Sequence, residues 1–465
     1  MELARKSKIV VKQNSAFDSA AGTQRMKLRY GFNEIDGWAA FSMGEQREQI
    51  HRRLRLMGTK VIRIFVFDKP VPDPFKEWHW FAAVLQGVLD VGAKPMVTFA
   101  KFHPPYDDPR NIRSFVARCS EIVWGCIEQW GGDEVKDWYW CVWNEPNNPV
   151  IGGDVTYAQY RRIYEEVAAA VLELLEPHLG GRKAKLGGPA IDGTQRAFWM
   201  DWIARLVADV DDRMIGFVNW HMYADWRPAA PSETMNVKLW DAPDSPNGEV
   251  FEALVMAQTP EYEARARGVA RLLHGRDILN VCGELNAVAH HEHAYTLGLN
   301  QNAFGAAYYA SALIHLIRGG AELEMRWTAT SKQLDWGARD DSYGLMSKNG
   351  EPTPACLAKQ LFAQHVRYGD SIRFPDRRLE APDVDVIVAS NDNGRRSGVF
   401  VNTSAKPRVL TAADWDEGLQ ACTVILRVDT STGDRVFEEP FDGTVRLHGY
   451  GVAVVTNAAR DTEVD

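Results

Sequence analysis

The sequence predicts an α/β chain: a (β/α)8 barrel of the TIM type followed by a C-terminal all-β sandwich module. Three observations carry this. Strand-like and helix-like stretches alternate eight times between about residues 28 and 365, the mark of a parallel sheet with crossover helices. The strand-like stretches are nearly continuous apolar runs, as strands covered on both faces must be. After about Asp370 the pattern turns to short strands separated by turn signals, which reads as antiparallel sheet.

The units follow in order. Residues 28–32 form the first strand. The helix after it carries Ile50, Leu54 and Met57 on one face and stops at Gly58. The second strand, 61–66, is interrupted only by Arg63, and an Arg inside such a run must find a carboxylate. A helix over 77–91 leads to the third strand, 94–100. A helix over 112–130 leads to the fourth, 138–142. Tyr160, Ile163, Tyr164, Val167, Val171 and Leu174 then recur at helical spacing, with Pro177 expected to follow the helix. The fifth strand is 185–188, followed by a helix over 196–210, and the sixth is 215–220. Thr259-Pro260-Glu261 reads as the cap and first two positions of a helix reaching His274. The seventh strand, 278–282, a helix over 302–317, the eighth strand, 323–327, and a last helix over 354–366 complete eight units, the barrel number. The barrel is thus assigned to 28–365. The sandwich takes 366–465, with strands at 384–389, 398–401, 422–428 and 451–455 and a turn at Asn391-Asp392-Asn393-Gly394.

Composition narrows the function. A net charge of -9 on 465 residues argues against nucleic acid or an anionic membrane as partner. No apolar run approaches the roughly 18 residues of a membrane span. Met1 to Lys8 opens without the apolar core of a signal peptide, so a cytoplasmic location is expected. Six Cys without a Cys-x-x-Cys pair read as reduced, buried thiols rather than a zinc or redox motif. Sixteen Trp suit either a dense core or a sugar site, because pyranose faces stack on aromatic rings.

Two strand ends carry chemistry. Trp143-Asn144-Glu145-Pro146-Asn147 closes the fourth strand and Gly283-Glu284-Leu285-Asn286 the seventh. A lone strand-end Glu is commonly an ion-pair member. Two of them at the mouth of one barrel match the demand of glycoside cleavage, one carboxyl to protonate the leaving oxygen and one carboxylate to attack. Arg63 is expected to pair with Glu284 and keep it ionised. Trp327, at the end of the eighth strand, is expected to form the floor under the reactive sugar. Lys101, Phe102 and His103 follow the third strand and could reach hydroxyls. The stretch 224–258, with Asp225, Trp226, Arg227 and Trp240, is long enough for a lid or wall.

Asn144-Glu145-Pro146 resembles the Asn-Glu-Pro signature of clan A glycoside hydrolases. The longer segment from Trp143 to Asn147 resembles glycoside hydrolase family 39, the family of β-xylosidases and α-iduronidases. Glu284-Leu285-Asn286 is similar to its Glu-aromatic-Asn segment, with Leu285 in place of the aromatic residue. Ala306-Ala307-Tyr308, Trp327-Thr328, Gly344-Leu345 and the run from Pro352 to Ala358 extend the likeness. The resemblance implies a retaining glycosidase with Glu145 as acid/base and Glu284 as nucleophile. It implies that Asn144 contacts the sugar 2-hydroxyl, that Trp143 lies in the substrate-binding segment, and that His221 and Tyr223 orient the nucleophile, the Tyr hydroxyl donating to it. It also implies that an N-terminal segment within residues 1–27, including the β-like run Lys8 to Lys12, joins the sandwich. Double displacement needs no cofactor. No metal is expected, since His290-His291-Glu292-His293 lacks a His-Glu-x-x-His spacing. An exo-acting β-xylosidase-like enzyme is the leading expectation. Endo action on a polysaccharide and transglycosylation use the same residues, and a catalytically silent carbohydrate-binding protein is the rival of another class. A homo-oligomer remains open.

Overall fold

Eight parallel strands close into a barrel in the computed structural model, which describes residues 22–33, 38–67, 72–149, 151–193, 199–224, 226–227, 237–238, 248–289, 298–331, 343–347, 349–375 and 380–458. The strands are β1 Arg29–Asn33, β2 Thr59–Val66, β3 Lys94–Phe99, β4 Tyr139–Val142, β5 Lys185–Ile191, β6 Phe217–Tyr223, β7 Leu279–Asn286 and β8 Leu323–Trp327. Each pairs in parallel with its sequence neighbours, and β8 returns to β1. The crossover helices are α1 Arg47–Leu56, α2 Trp78–Asp90, α3 Pro109–Trp130, α4 Tyr157–Leu179, α5 Trp199–Asp209, α6 Thr259–Leu272, α7 Ala303–Gly319 and α8 Pro354–His365. Local signals set their ends. Asp108 caps α3 with Pro109 at its first turn, Thr156 and Gln159 close a capping box on α4, and left-handed Gly180 and Gly320 end α4 and α7.

Alternation along the strands layers the barrel interior. Val61, Met96, Tyr139, Cys141, Phe217, Val281, Leu323 and Met325 form an apolar plug at the bottom. Two residues further along β2, Arg63 is fully buried, with Thr98 of β3 beside it. His221, Glu284 and Trp327 follow towards the C-terminal mouth. β5, β6 and β7 run three or four residues past the expected ends; in β6 and β7 the added residues are partly polar, His221 and Tyr223, Glu284 and Asn286, and break the apolar run without breaking the ladder. Pro177 lies inside the last turn of α4, which ends two residues later at Leu179. Gln258, not Thr259, caps α6, and the Thr259 hydroxyl donates to the Met256 carbonyl.

Beyond the barrel, β9 Ser371–Arg373, β10 Val384–Ser390, β11 Arg396–Asn402, β12 Val424–Val428, β13 Phe437–Pro440 and β14 Val452–Thr456 build an antiparallel sheet. One face, with Ile387, Val399, Leu426 and Val454, joins the main core against α7 and α8. The other carries a separate core of Val386, Phe400, Ile425 and Val455, closed over by the two-stranded sheet Arg408–Thr411 and Thr444–Leu447. A short strand, Gln24–Arg25, pairs antiparallel with Ser371 and Ile372 at the sheet's edge. The run Lys8 to Lys12 and the segment His290 to His293 lie outside the described residues, as does most of 224–247. No helix among the described residues is long and apolar enough to cross a membrane.

Candidate active site

The barrel mouth gathers a connected set of charged and polar groups. Arg63 organises it from below. Its Nε donates to Thr98 Oγ1 at 2.9 Å, one Nη2 proton goes to Asn144 Oδ1 at 3.0 Å, and Nη1 reaches both Glu284 Oε1 at 3.2 Å and His221 Nε2 at 3.3 Å. Tyr223 donates to the other oxygen of Glu284, Oε2, at 2.8 Å. A guanidinium can only donate, so His221 Nε2 accepts and Nδ1 carries the proton. Nδ1 lies 2.7 Å from Glu145 Oε1 and 3.7 Å from Glu284 Oε2. His221 therefore serves Glu145, not Glu284 as its motif implied. Of that pair, Tyr223 makes the hydrogen bond to Glu284, and His221 stands 3.7 Å from it.

One oxygen of each carboxylate and a nitrogen of His221 all lie within 4.8 Å of one another. That spacing is small enough for a cation, yet Arg63 already brings a positive charge to the cluster. Burial pushes the Glu145 carboxyl well above the usual range, and Asp192 adds to the rise while Arg63 opposes it. Burial also raises Glu284, and Glu145 adds to this, while the Arg63 charge and the Tyr223 hydroxyl oppose it. Burial depresses His221 to about 4, so the ring is neutral near pH 7. Of the two carboxyls, Glu145 is the one placed to hold a proton and Glu284 the one given partners for its charge.

The loop that carries Glu145 is strained. Trp143 and Glu145 both have left-handed backbones, with φ of 76° and 50°. Such conformations persist where surroundings over-determine them. Glu145 N donates to Ala190 O, and Gly152 packs so close that a Cβ there would stand 1.9 Å from Glu145 O.

The other expected residues divide. Asn144 is half-buried at the mouth, and its Oδ1 is held by Arg63. Trp327 is half-buried with its ring against Phe65 and Tyr343, and Asn286 donates to its carbonyl at 2.6 Å. Trp143 does not line the site. Its ring has no exposed surface, packs on Phe102, Tyr106 and Tyr160, and donates to Gly152 O at 3.1 Å. The left-handed turn directs it behind the loop. His103 is exposed on the loop after β3 and is not brought into the cluster, and Phe102 is buried beside Trp143. Sequence reasoning missed Thr98, Asp192 and Asn286. The signals were there: a Thr breaking the apolar run of β3, and an Asp closing β5 as Glu145 and Glu284 close theirs.

The fold is shared with solved glycoside hydrolases. Within that class the likeness is to family 39. Residues 72–264 match the model described as glycosyl hydrolases family 39, a span that includes Glu145, His221 and Tyr223 and ends before Glu284. The chain is 35% identical over 172 residues to a β-xylosidase of Geobacillus stearothermophilus, covering 33% of this chain and 32% of that protein. It is 21% identical over 332 residues to a β-xylosidase of Caldicellulosiruptor saccharolyticus, covering 67% of this chain and 60% of that one. The matches thus span about a third and three-fifths of these two curated relatives. Among solved structures, a monomeric β-xylosidase of Caulobacter crescentus shares the fold over 94% of this chain and 97% of its own, with a TM-score of 0.60 and 15% identity. A family 51 α-L-arabinofuranosidase of Bifidobacterium longum does so over 95% and 98%, with a TM-score of 0.62 and 14% identity.

Proposed function

We propose that the protein is a retaining glycoside hydrolase, acting as an exo-glycosidase of β-xylosidase type. The observation that carries this is the approach of Glu145 and Glu284 at the C-terminal mouth, with an oxygen of each inside 4.8 Å. Retaining enzymes hold their carboxyls about 5–5.5 Å apart, whereas inverting ones leave roughly 6.5–9.5 Å for a water. In the first step Glu284 attacks the anomeric carbon while Glu145 protonates the departing oxygen. In the second, Glu145 deprotonates water, which releases the sugar from Glu284. His221 donates to Glu145 Oε1, which leaves Oε2 to carry the acid's proton. Asn144 meets the 2-hydroxyl and Trp327 lies under the ring. The names of the two curated relatives support xylose as the sugar. Six buried, unpaired thiols suit a reducing compartment, so we place the enzyme in the cytoplasm.

The test is a screen of 4-nitrophenyl glycosides, with the β-xyloside expected to be cleaved. Glu284→Ala should nearly abolish turnover, and azide should restore it with an α-glycosyl azide as product from the β-donor. Glu145→Ala should lose most on poor leaving groups, since activated aryl groups need little protonation. An inactive wild type across the screen, or loss in Glu145→Ala that is equal on both leaving-group types, contradicts the assignment.

A further inference from the structure

Glu284 faces the mouth because β7 breaks step just before it. Val281 belongs to the apolar plug inside the barrel, and Cys282 to the core outside it. Leu285 lies in that outer core as well. In an unbroken strand, residues three apart face opposite ways. The ladder shows the break: Cys282 is level with Trp220 and Glu284 with His221, so Gly283 is one residue too many. This β-bulge turns Glu284 to the mouth and Leu285 away from it. With strict alternation Leu285 would face the mouth and Glu284 the helices. β5, on the other side of β6, shifts in the same way between Pro189 and Ile191, and there the carbonyl of the extra Ala190 accepts from Glu145 N.

A bulged residue is left out of the pairing, so its polar groups need partners elsewhere. Gly283 O finds one in Asn33 Nδ2, at 2.9 Å. Asn33 is the last residue of β1, level with Trp327, and has no exposed surface. Its side chain reaches past β8 to meet β7. A carbonyl can only accept, so the amide nitrogen must face Gly283. That leaves Asn33 Oδ1 without a hydrogen-bond partner among the described residues. A buried amide satisfied on one side is a cost to the fold, so the donor side has to justify it. The space at Gly283 is filled as well: a Cβ there would stand 1.9 Å from Asn219 Oδ1.

We infer that Asn33 is a positioning residue for Glu284, fixing the bulge that aims the nucleophile. The inference rests on the nucleophile role proposed for Glu284 above. Gly283 O and Glu284 N belong to one planar peptide unit, so a bond that holds the oxygen holds the plane from which the Glu284 side chain departs. Asn286 ties the far side, donating to Trp327 O at 2.6 Å. Arg63 and Tyr223 hold the carboxylate by its two oxygens, once the backbone has delivered it to them. Asn33 is neutral and touches the backbone, so its loss should slow the chemistry without moving the pH dependence.

The test uses Asn33→Leu, which keeps the volume and removes the donor; Asn33→Ala, which adds no bulk, serves if the Leu variant does not fold by thermal unfolding. Covalent labelling of Glu284 by a dinitrophenyl 2-deoxy-2-fluoro-β-xyloside reads the nucleophile alone. Its inactivation rate constant should fall about 100-fold, with Ki little changed and both limbs of the pH–rate profile in place. In the variant's crystal structure the Gly283 carbonyl should be turned and Glu284 out of hydrogen-bond reach of Tyr223. An unchanged inactivation rate overturns the inference, as does a Glu284 still held by both Arg63 and Tyr223, or a slowed reaction whose acidic limb moves. The two readings fail separately: a wild type not labelled at Glu284 brings down the proposed function, whereas the crystal structures judge the placement of Glu284 whatever the enzyme cleaves.

Discussion

Arg63 has no exposed surface, yet it meets four partners at the mouth, and its removal should be felt through Glu284. Deleting the charge leaves a buried carboxylate held, among the described residues, by Tyr223 and a more distant His221. Its pKa must then rise, because the opposite charge that favoured ionisation is gone. The rate needs Glu284 ionised, so the acidic limb of the pH–rate profile should shift to higher pH in Arg63→Met and, by less, in Tyr223→Phe. kcat should fall while binding persists. An acidic limb that stays in place with normal kcat in both variants would show that Glu284 is held ionised by other means. Arg63→Met should also free the His221 tautomer, since the donor that forces Nε2 to accept is lost. The Tyr223 variant keeps that donor, so a larger defect in the basic limb of Arg63→Met is the signature of the Arg63–His221–Glu145 relay.

The loop after β4 positions the acid by close packing. Gly152→Ala would drive a Cβ to 1.9 Å from Glu145 O, and the loop must move to relieve it. A displacement of about 1 Å at a reacting group can cost roughly 100-fold, so kcat should fall on that scale with KM little changed, as steady-state kinetics would read. Unaltered kcat would show that the loop has slack. At this scale the sequence was a good guide where periodicity carries the information. All eight strands and eight crossover helices announce themselves by apolar runs and by the spacing of residues such as Tyr160, Val167 and Val171. It was a poorer guide at the mouth. The polar residues that end β6 and β7 look like loop, and Gly188-Pro189 in β5 reads as a strand stop, which hid Asp192. The left-handed turns at Trp143 and Glu145 leave no mark in residue type, so nothing indicated that Trp143 would face backwards. Arg63 and Glu284 were legible together because a charge in an apolar strand has few places to go, and Tyr223 was legible through the resemblance of its segment.

Two features join the barrel to the C-terminal sheet. Met26 is buried, its N–H donates to Asp370 O, and its carbonyl accepts from Gly369 N, beside the strand Gln24–Arg25. Deleting residues 1–26 removes these bonds and a burial of about 2 kcal/mol for the Met side chain, so the melting temperature should drop; unchanged melting would refute the role. At the same junction His315 of α7 lies 3.1 Å from Glu263 Oε2 on α6 and 3.4 Å from Asp385 Oδ2 on β10, with Arg267 and Arg318 also on Glu263. Burial opposes the charge on His315, but hydrogen bonds to Asp385 and Glu263 outweigh it and raise its pKa. The stabilisation is therefore full below the unfolded value of about 6.5 and is lost as pH rises through the folded one. Both carboxyls are shifted down against the penalty of burial, so their share is lost as pH falls. The wild type should melt at lower temperature as pH goes from 6 to 8.5, and the decline should be shallower in His315→Gln; equal slopes would contradict the lock. The pairing of β1 with β8 also has a bearing on synthesis. The ring cannot close until residue 327 has left the ribosome, and Gln24–Arg25 finds no partner before residue 371. At about 5–20 residues per second, the first strands wait some tens of seconds with an open edge, the interval in which a growing chain is most exposed to wrong partners and in most need of a chaperone.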